Sequence, residues 1–271
     1  MQEDTDAAFK ATYAELYDRY LVPLLFAPYA KCLADRVKAL KPRRVLETAA
    51  GTGILTNALV QNLPAGATIT ATDLNQPMID CALAKSSEPR VTWQQADAMQ
   101  LPFPSESFEV VVCQFGVMFF PDKRASFHET ARVLAPGGHY LFAVWDDWKK
   151  MSEAPLGIAA DVVGTMLECD PASLVNPAYH DETKLRQDLA AAQFQRIEIE
   201  RIALPAVASS ARKAALATVH GSLIRSVIEA QYRGRLEEAT NAVEGALLAH
   251  FGRGAVAGRT SALIVNAEKG R

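Results

Sequence analysis

Cysteine is scarce in this sequence, and charge of one sign is not in large excess. The four cysteines among 271 residues lie far apart and form no CxxC or Cys/His cluster. This spacing predicts neither a zinc site nor a disulfide framework, so no metal is expected. With 28 basic and 31 acidic residues the net charge is −3, which argues against the basic face of a nucleic-acid-binding protein.

Long apolar segments are also missing from the beginning of the chain. The apolar run from Leu21 to Ala30 is short, and Pro23 and Pro28 interrupt it, which argues against a membrane span. The first residues are acidic, where a signal peptide would be basic and then apolar. We therefore expect a cytoplasmic protein with no membrane insertion and no cleaved leader. Because 49% of the residues are apolar, the chain can bury a sizeable core.

From residue 43 onward, short β-branched runs alternate with segments of helical spacing. Asn75 and Asp122 are predicted to cap two of these helices, and Pro136–Gly137–Gly138 is predicted to stop the second one after Leu134. Such alternation is typical of βαβ units, whose right-handed crossovers give a parallel sheet with helices on both faces. The predicted strands cover residues 44–47, 67–73, 90–94, 108–113 and 139–145.

Helical patterns dominate both ends of the chain. Residues 7–40 predict a helix that Pro23 and Pro28 must break or restart. After about residue 150, the pattern is again mostly helical, with two late strands separated by helical sequence. The predicted helices of this half cover 153–168, 181–192 and 209–251, and its strands cover 194–204 and 260–267.

The first strand-to-helix turn carries the strongest local signal of a binding site. Gly51 and Gly53 let the backbone turn tightly and approach a ligand closely. The helix predicted to begin near Thr52 points unpaired N–H groups at the same place. A helix-packing turn without a ligand can have the same glycines, so this G-x-G alone leaves both interpretations open.

Acidic residues lie at the ends of the first three predicted strands. Asp73 stands about twenty residues after the glycines, where a carboxylate can accept from both hydroxyls of an adenosine ribose or stabilise the turn at Asn75. Asp97 can accept from the exocyclic amine of an adenine, or be an ordinary loop acid. Glu47 discriminates best between a dinucleotide and a nucleoside that carries an amino acid, because a carboxylate beside the turn disfavours a pyrophosphate and favours an ammonium group. Together these acids indicate a nucleoside that carries an amino acid.

With these features the chain resembles class I S-adenosylmethionine-dependent methyltransferases, in particular the ubiquinone/menaquinone-type and small-molecule enzymes. The resemblance is close over residues 43–146. Ala49 departs from it, because the family's acid-x-Gly-x-Gly-x-Gly turn has its first glycine there; alanine is the smallest substitute, so we expect binding to survive. The segments that match in order are Val45–Gly53, Ala71–Asn75, Gln95–Phe103, Phe108–Gln114 and Arg132–Gly138.

The resemblance implies a role for each matching residue. Glu47 would hold the amino group of the methionine moiety, Asp73 the ribose, and Asp97 the edge of the adenine. It also implies that the amino-terminal helix covers the cofactor, which makes Tyr20 a candidate contact. The complete set implied for S-adenosylmethionine, with S-adenosylhomocysteine as the product, is Tyr20, Glu47, Thr48, Ala49, Gly51, Gly53, Asp73, Leu74, Met78, Asp97, Ala98, Met99, Gln114 and Phe115.

The implied fold is a Rossmann-like, doubly wound α/β sheet of seven mostly parallel strands, with the last strand antiparallel. Residues 260–267 are expected to supply that strand. We predict a single methyltransferase domain over 1–271, without a separate second domain. Its parts are a helical cap at 1–40, a cofactor-binding core at 41–150, and a substrate-side half at 151–271 with a helical lid inserted at about 205–257 over one edge of the sheet.

The sequence constrains the methyl acceptor less than the cofactor. An apolar inner face of the lid favours a small, partly apolar acceptor, but the same residues could anchor the lid or form a dimer contact, so a homodimer stays open. Arg225, Arg233 and Arg235 could meet an acidic group, although neighbouring glutamates favour a solvated face. The lid residues in question are Val207, Leu216, Val219, Leu223, Ile224 and Val227.

No catalytic residue is assigned from the sequence. An oxygen acceptor needs a base, whereas a carbon or amine acceptor can react without one. The histidines considered as bases are His128, His139, His180, His220 and His250. The aromatic residues considered for cation–π contact with a sulfonium, or alternatively for core packing, are Tyr13, Tyr17, Tyr20, Phe26, Phe115, Phe119 and Trp145.

Other functions share some of these features. An NAD(P)-dependent oxidoreductase would use the G-x-G turn and Asp73, but it leaves Glu47 and Asp97 unexplained, and Thr56 occupies the position of the third glycine in its G-x-G-x-x-G motif. A non-catalytic S-adenosylmethionine-binding protein would have the same site. A protein or RNA methyltransferase is disfavoured by the mild acidity and by the predicted lid.

Overall fold

The structure, a computed structural model, describes residues 13–175 and 178–270. Its strands form one seven-stranded sheet in the order β3-β2-β1-β4-β5-β7-β6. Six strands run parallel and the last is antiparallel, pairing with β5, so the predicted sheet is confirmed. The strands are β1 (Arg44–Glu47), β2 (Thr68–Asp73), β3 (Val91–Gln95), β4 (Phe108–Gln114), β5 (Leu134–Trp145), β6 (Phe194–Ala208) and β7 (Val256–Lys269).

Helices fill most of the chain between and beyond these strands. A π-helical segment, Tyr17–Phe26, lies near the amino terminus, and short 3-10 turns cover Val117–Phe119, Trp148–Met151 and Pro171–Leu174. Among the described residues, no helix combines the length and the apolarity needed to cross a membrane. The α-helices are α1 (Tyr13–Leu16), α2 (Ala27–Ala39), α3 (Ile54–Asn62), α4 (Gln76–Leu83), α5 (Lys123–Val133), α6 (Pro155–Leu167), α7 (Glu182–Ala191), α8 (Ala211–His220), α9 (Leu223–Gln231) and α10 (Leu236–Phe251).

The described residues fall into two compact units. The core unit comprises Tyr29–Asp146, Ala178–Ile202 and the described part of Ala262–Arg271. The helical unit comprises the described parts of Met1–Pro28 and Asp147–Pro177, together with Ala203–Ser261. The single-domain organisation and the placement of a lid over the sheet stay predictions.

The centre of the core unit is β4, which is buried on both faces as its sequence predicts. Val111 and Val112 have no exposed surface, and each buried side chain of this size contributes about 1.5–3 kcal/mol to folding. On one side β4 pairs in parallel with β1, where Glu47 lies opposite Val112. On the other side it pairs with β5, which is buried along its second half. This central pair of interfaces fixes the carboxyl end of β1 within the sheet.

The helical unit has a core of its own around α8. Every residue from Ala214 to His220 is buried, as expected for a helix covered on all sides. Gly221 follows, and a Cβ atom there would lie 2.9 Å from the Cβ of Leu21, so only glycine allows this approach. Leu216 belongs to this interior. Of the predicted apolar lid face, Leu216, Val219 and Ile224 are fully buried, Leu223 and Val227 are half-buried, and Val207 is 51% exposed.

The predicted proline breaks in the amino-terminal helix are wrong. Pro23 lies inside the π-helical segment, and the N–H of Ala27 bonds to the carbonyl of Val22, five residues earlier. The wider turn accommodates a residue that has no N–H to donate, so the chain continues into α2 without a break. Pro28 stands in the first turn of α2, where its fixed φ is compatible with a helix. Residues 7–12 of the predicted helix lie outside the described residues.

Two further local expectations also need correction. Asn75 stands at the N-cap position of α4, but its side chain makes no capping hydrogen bond. The helix predicted to reach Leu134 ends at Val133, and Pro136–Gly138 lies within β5. By contrast, Asp122 caps α5 as predicted, because its side chain accepts from the N–H of Ala125 at 3.0 Å.

Candidate functional site

The candidate site lies in the core unit, at the carboxyl ends of β1, β2 and β4. The strand order reverses between β1 and β4, which is the position where doubly wound sheets bind their ligands. The loop after β1 is tied to both neighbours. The N–H of Thr48 donates to the carbonyl of Val112 at 3.0 Å, and the N–H of Ala50 donates to the carbonyl of Thr72 at 2.9 Å. These bonds hold the glycine turn against the edge of the sheet.

Three residues of this turn have left-handed backbone conformations. Gly51 has φ +56°, Gly53 has φ +86°, and Ala49 has φ +52°. A Cβ atom on Gly51 would meet nothing within 4 Å, so open space adjoins the turn there. A Cβ atom on Gly53 would lie 3.0 Å from the ring of Trp93, so this glycine is required by packing. The predicted close backbone approach is therefore available at Gly51.

Ala49 is the one residue of the turn with both a side chain and a positive φ, a conformation that L-residues other than glycine rarely adopt. Its methyl group lies where a side chain on Gly116 would have to be. The departure at Ala49 thus depends on the missing side chain of Gly116, a residue of the loop after β4. Sequence reasoning did not find this pairing.

Glu47 is a buried carboxyl group that faces the first turn of α3. It is about 1% exposed, and its Oε2 accepts from the hydroxyl of Thr56 at 2.6 Å. Burial raises the pKa of Glu47 to about 8; the hydrogen bonds from Thr56 oppose this rise, and the charge of Asp73 adds to it. An ammonium ligand would favour the ionised form of this carboxyl group.

Asp73 connects two loops through its two carboxylate oxygens. Oδ1 accepts from the N–H of Asn75, as the turn interpretation predicted, and Oδ2 accepts from the N–H of Gly51, both at 2.8 Å. Burial raises the pKa of Asp73, and the two N–H groups oppose that rise. Each carboxylate oxygen has a second lone pair, so both contacts leave acceptor capacity for ribose hydroxyls. The contact with Gly51 was missed from the sequence.

The residues assigned to the adenine follow β2 and β3. Leu74 is 65% exposed, an unusual state for a large apolar side chain next to a buried strand, and Met78 is half-buried. The carboxylate of Asp97 accepts from the N–H of Met99 at 2.8 Å, which fixes the loop around Ala98. Leu74 therefore offers an apolar surface that a flat ring can cover.

Gln114 is the last residue of β4, and Phe115, which follows it, is part of an aromatic cluster. The backbone of Phe115 has φ +57°, and its N–H donates to the carbonyl of Ala143 at 3.0 Å. Its ring stacks on Trp145 with centroids 3.8 Å apart, and the ring of Tyr29 meets both edge-on. A bulky residue at positive φ is costly and marks either function or strain. Tyr29 was missed from the sequence, although it lies at helical spacing from Phe26.

Several other candidates fall outside this constellation. Tyr20 belongs to the helical unit, is buried, and its hydroxyl has no hydrogen-bond partner among the described residues; its contact with a cofactor stays a prediction. His220 is also buried in the helical unit, and burial lowers its pKa to about 4. His139 bonds through Nδ1 to the side chain of Asn266 at 3.0 Å. The described residues contain no group of His, Cys, Asp and Glu that could hold a metal ion.

Two of the arginines predicted as possible contacts for an acidic group of the acceptor form ion pairs within the helical unit. The Nε of Arg225 lies 2.7 Å from Glu229, and Arg235 lies 2.7 Å from Glu238. For Arg235 this fits the predicted solvated face, since both partners are exposed. Arg225 does not fit it, because only 15% of its side chain is exposed.

Comparison with known proteins agrees with this geometry. The family model of the methyltransferase domain matches residues 46–142. A demethylmenaquinone methyltransferase of Thermus thermophilus is 39% identical over 102 residues, which cover 37% of this chain and 46% of that protein. An uncharacterised Mycobacterium tuberculosis protein is 38% identical over 104 residues, covering 38% of this chain and 37% of that protein. The chain thus matches less than half the length of these curated relatives.

Solved structures share the fold over most of the chain. The YcgJ protein of Bacillus subtilis has a TM-score of 0.57 and 18% identity, covering 90% of this chain and 99% of its own. The [4+2]-cyclase SpnF has a TM-score of 0.54 and 19% identity, covering 89% and 80%. The predicted resemblance to class I S-adenosylmethionine-dependent methyltransferases is confirmed for the segment that the family model matches, and the sheet is Rossmann-like.

Proposed function

We propose that the chain binds S-adenosylmethionine and transfers its methyl group to an oxygen, nitrogen or carbon atom of a small, partly apolar molecule. The observation that carries this proposal is the set of acids at the ends of β1, β2 and β3. Glu47 and Asp73 are the last residues of β1 and β2, and Asp97 lies just beyond the adjacent parallel strand β3. One acid is thereby available for each polar part of the cofactor: ammonium, ribose and adenine.

The residues present fit this cofactor. The open space at Gly51 admits a ligand against the backbone, and the buried Glu47 carboxyl group is suited to a cation that is removed from water. Asp73 retains lone pairs for two hydroxyls. Exposed Leu74 supplies an apolar face for the base.

When bound, S-adenosylmethionine would supply a methyl group activated by its positively charged sulfur: an electron pair of the acceptor would bond to the methyl carbon as the carbon–sulfur bond breaks, which leaves the neutral thioether S-adenosylhomocysteine. The chain therefore mainly has to bind, orient and exclude water. Alignment of two reactants at near-attack distance contributes about 7–11 kcal/mol in favourable intramolecular cases. Glu47 would fix the amino-acid end of the cofactor and Asp73 its ribose, and the Phe115–Trp145 stack would limit movement at the end of β4.

A dinucleotide is a weaker fit for the same turn. A pyrophosphate would lie beside the Glu47 carboxyl group, which offers an anion no positive charge and repels it whenever the carboxyl group is ionised. The position of the third glycine is occupied by Thr56, whose hydroxyl is already engaged with Glu47 at 2.6 Å. The fold alone does not decide the reaction, because the similar SpnF structure is named a cyclase.

Thermal unfolding of the purified chain with four ligands tests the proposal. S-adenosylmethionine or S-adenosylhomocysteine at about 100 times its dissociation constant should stabilise the fold by about 2.7 kcal/mol, a shift of several degrees. NAD and NADP should give no shift. Asp73→Ala should abolish the shift, and Asp170→Ala, which removes an acid that caps a short turn elsewhere, should retain it.

Turnover then separates an enzyme from a binding protein. Transfer of radiolabelled methyl to any member of a panel of small phenols, amines and quinols would establish catalysis. A shift with a nicotinamide nucleotide alone would overturn the proposal in favour of an oxidoreductase.

A further inference from the structure

Thr56 stands out because a buried threonine donates to a buried carboxyl group. Its hydroxyl oxygen is 2.6 Å from Oε2 of Glu47, and the two residues are only 2% and 1% exposed. The backbone amide of Thr56 also faces the carboxyl group and favours its ionised form. Thr56 lies in the first turn of α3, so it links the helix after the glycine turn to the end of β1.

We propose that Thr56 is a positioning residue for the amino group of the cofactor, and that binding of this amino group releases the proton of Glu47. The inference rests on the proposed function, because it needs an ammonium-bearing ligand at Glu47. Thr56 itself would not touch the ligand. Its hydroxyl holds Oε2 in place, which leaves Oε1 for the ammonium.

The surroundings of Glu47 explain why a proton is involved. The pKa of about 8 arises first from burial, so the carboxyl group is mostly protonated at neutral pH. The titratable groups that face it are Asp73 at the end of β2, which raises its pKa, and Cys113 in β4, a thiol with its own pKa raised to about 11 by burial. Neither supplies a positive charge. An ammonium ion is therefore expected to displace the proton from Glu47.

The pH dependence of binding follows from this exchange. Affinity for S-adenosylhomocysteine should rise about tenfold between pH 6 and pH 7 and stop rising near pH 8, because only the ionised carboxylate binds the ammonium and the ligand's own amino group loses its proton at higher pH. Calorimetry at pH 7 in two buffers of different ionisation enthalpy should show release of close to one proton. The ligand 5′-methylthioadenosine, the same nucleoside without the amino acid, should bind with no proton release.

Thr56→Val removes the hydroxyl at nearly constant volume and is the decisive variant. Since the hydroxyl favours the ionised form, its loss should weaken S-adenosylhomocysteine binding about tenfold at pH 6.5 and only about twofold at pH 9. Thr56→Ser should restore the wild-type pH profile. Thr218→Val is the matched control, because the hydroxyl of Thr218 donates only to carbonyls of its own helix. Its binding should equal that of the wild type at every pH.

The outcomes separate this inference from the proposed function. An equal loss of affinity at both pH values in Thr56→Val would show a merely structural role and overturn the inference. Absence of proton release in the wild type would overturn it as well, while leaving cofactor binding intact. Failure of the wild type to bind S-adenosylhomocysteine at all would instead overturn the proposed function.

Discussion

Glu47 in the core unit and His220 in the helical unit are chemically parallel. Each is an ionisable side chain with about 1% of its surface exposed, and each has a threonine partner, Thr56 at 2.6 Å or Thr240 at 2.9 Å. Burial favours the neutral form of both, since it raises the pKa of Glu47 to about 8 and lowers the pKa of His220 to about 4. Sequence reasoning selected both as candidates for function.

Their surroundings differ, and that difference separates a binding group from a packing group. Glu47 ends a strand beside open space at Gly51, within the segment that matches the methyltransferase family. His220 lies on a helix that is buried on all sides. The hydroxyl of Thr240 gives its proton to the carbonyl of Leu236 at 2.7 Å, so the Nε2–H of His220 donates to that hydroxyl. A buried titratable group therefore indicates a ligand site only where the backbone leaves room for a ligand.

Glu47→Gln should give the largest effect, with opposite signs for binding and stability. Loss of a buried charge partner should weaken S-adenosylhomocysteine binding by about 2–5 kcal/mol. In the unliganded protein the folded state keeps the Glu47 proton between about pH 4.5 and 8, whereas the unfolded state loses it. Its contribution to unfolding free energy therefore falls as pH rises through that window.

The variant should thus be more stable than the wild type at pH 7, by up to about 3 kcal/mol, since glutamine has no proton to retain. Urea unfolding at pH 5 and pH 7 checks this, because the advantage should be much smaller at pH 5. A variant that is less stable than the wild type at pH 7 would contradict the assigned protonation state.

His220→Leu tests whether the buried histidine of the helical unit affects stability alone and not ligand binding. The unfolded state protonates this histidine near pH 6.5, whereas the folded state resists protonation down to about pH 4. Wild-type stability should therefore fall as pH drops through that window, by about 3 kcal/mol in total. The stability of the variant should not decrease in this way, and its affinity for S-adenosylhomocysteine should be unchanged.

Urea unfolding from pH 7 to pH 4 is the measurement for His220→Leu. His128→Gln, at an exposed position of α5, is the control and should keep the wild-type slope. Loss of ligand binding in His220→Leu would place this histidine in the functional site and contradict its assignment as a packing group.

Ala49→Gly should give the smallest effect, an increase in unfolding free energy of about 0.5–1 kcal/mol. The strain of a left-handed alanine costs about 1–2 kcal/mol, and the greater freedom of glycine in the unfolded chain offsets part of that gain. Ala50→Gly is the matched control, because Ala50 has no positive φ and should be destabilised by a similar amount. Thermal unfolding of both variants tests the pair, and destabilisation of Ala49→Gly would show that its methyl packing outweighs the strain.

Much of the core could be predicted because its signals are local. The bounds of β1 were predicted residue for residue, and Asp122 caps α5 as expected, since strand patterns and capping depend on neighbouring residues. The π-helical turn at Pro23 was not predictable, because proline normally ends a helix. The side-chain cap predicted at Asn75 does not form, although the backbone N–H of Asn75 donates to the Asp73 carboxylate, a contact that lies two residues away in sequence.

The sequence by itself determined which acids meet at the candidate site. Alternating strands and helices place Glu47, Asp73 and Asp97 at the carboxyl ends of parallel strands, and those ends share one edge. Only the tertiary structure decided the protonation, the hydrogen bonds and the available space at this site. Glu47 keeps its proton because the folded chain buries it. The hydrogen bond from Gly51 to Asp73 and the space for the Ala49 methyl group depend on residues that are distant in sequence. Such effects arise only when the chain has folded, because burial and close contact create them.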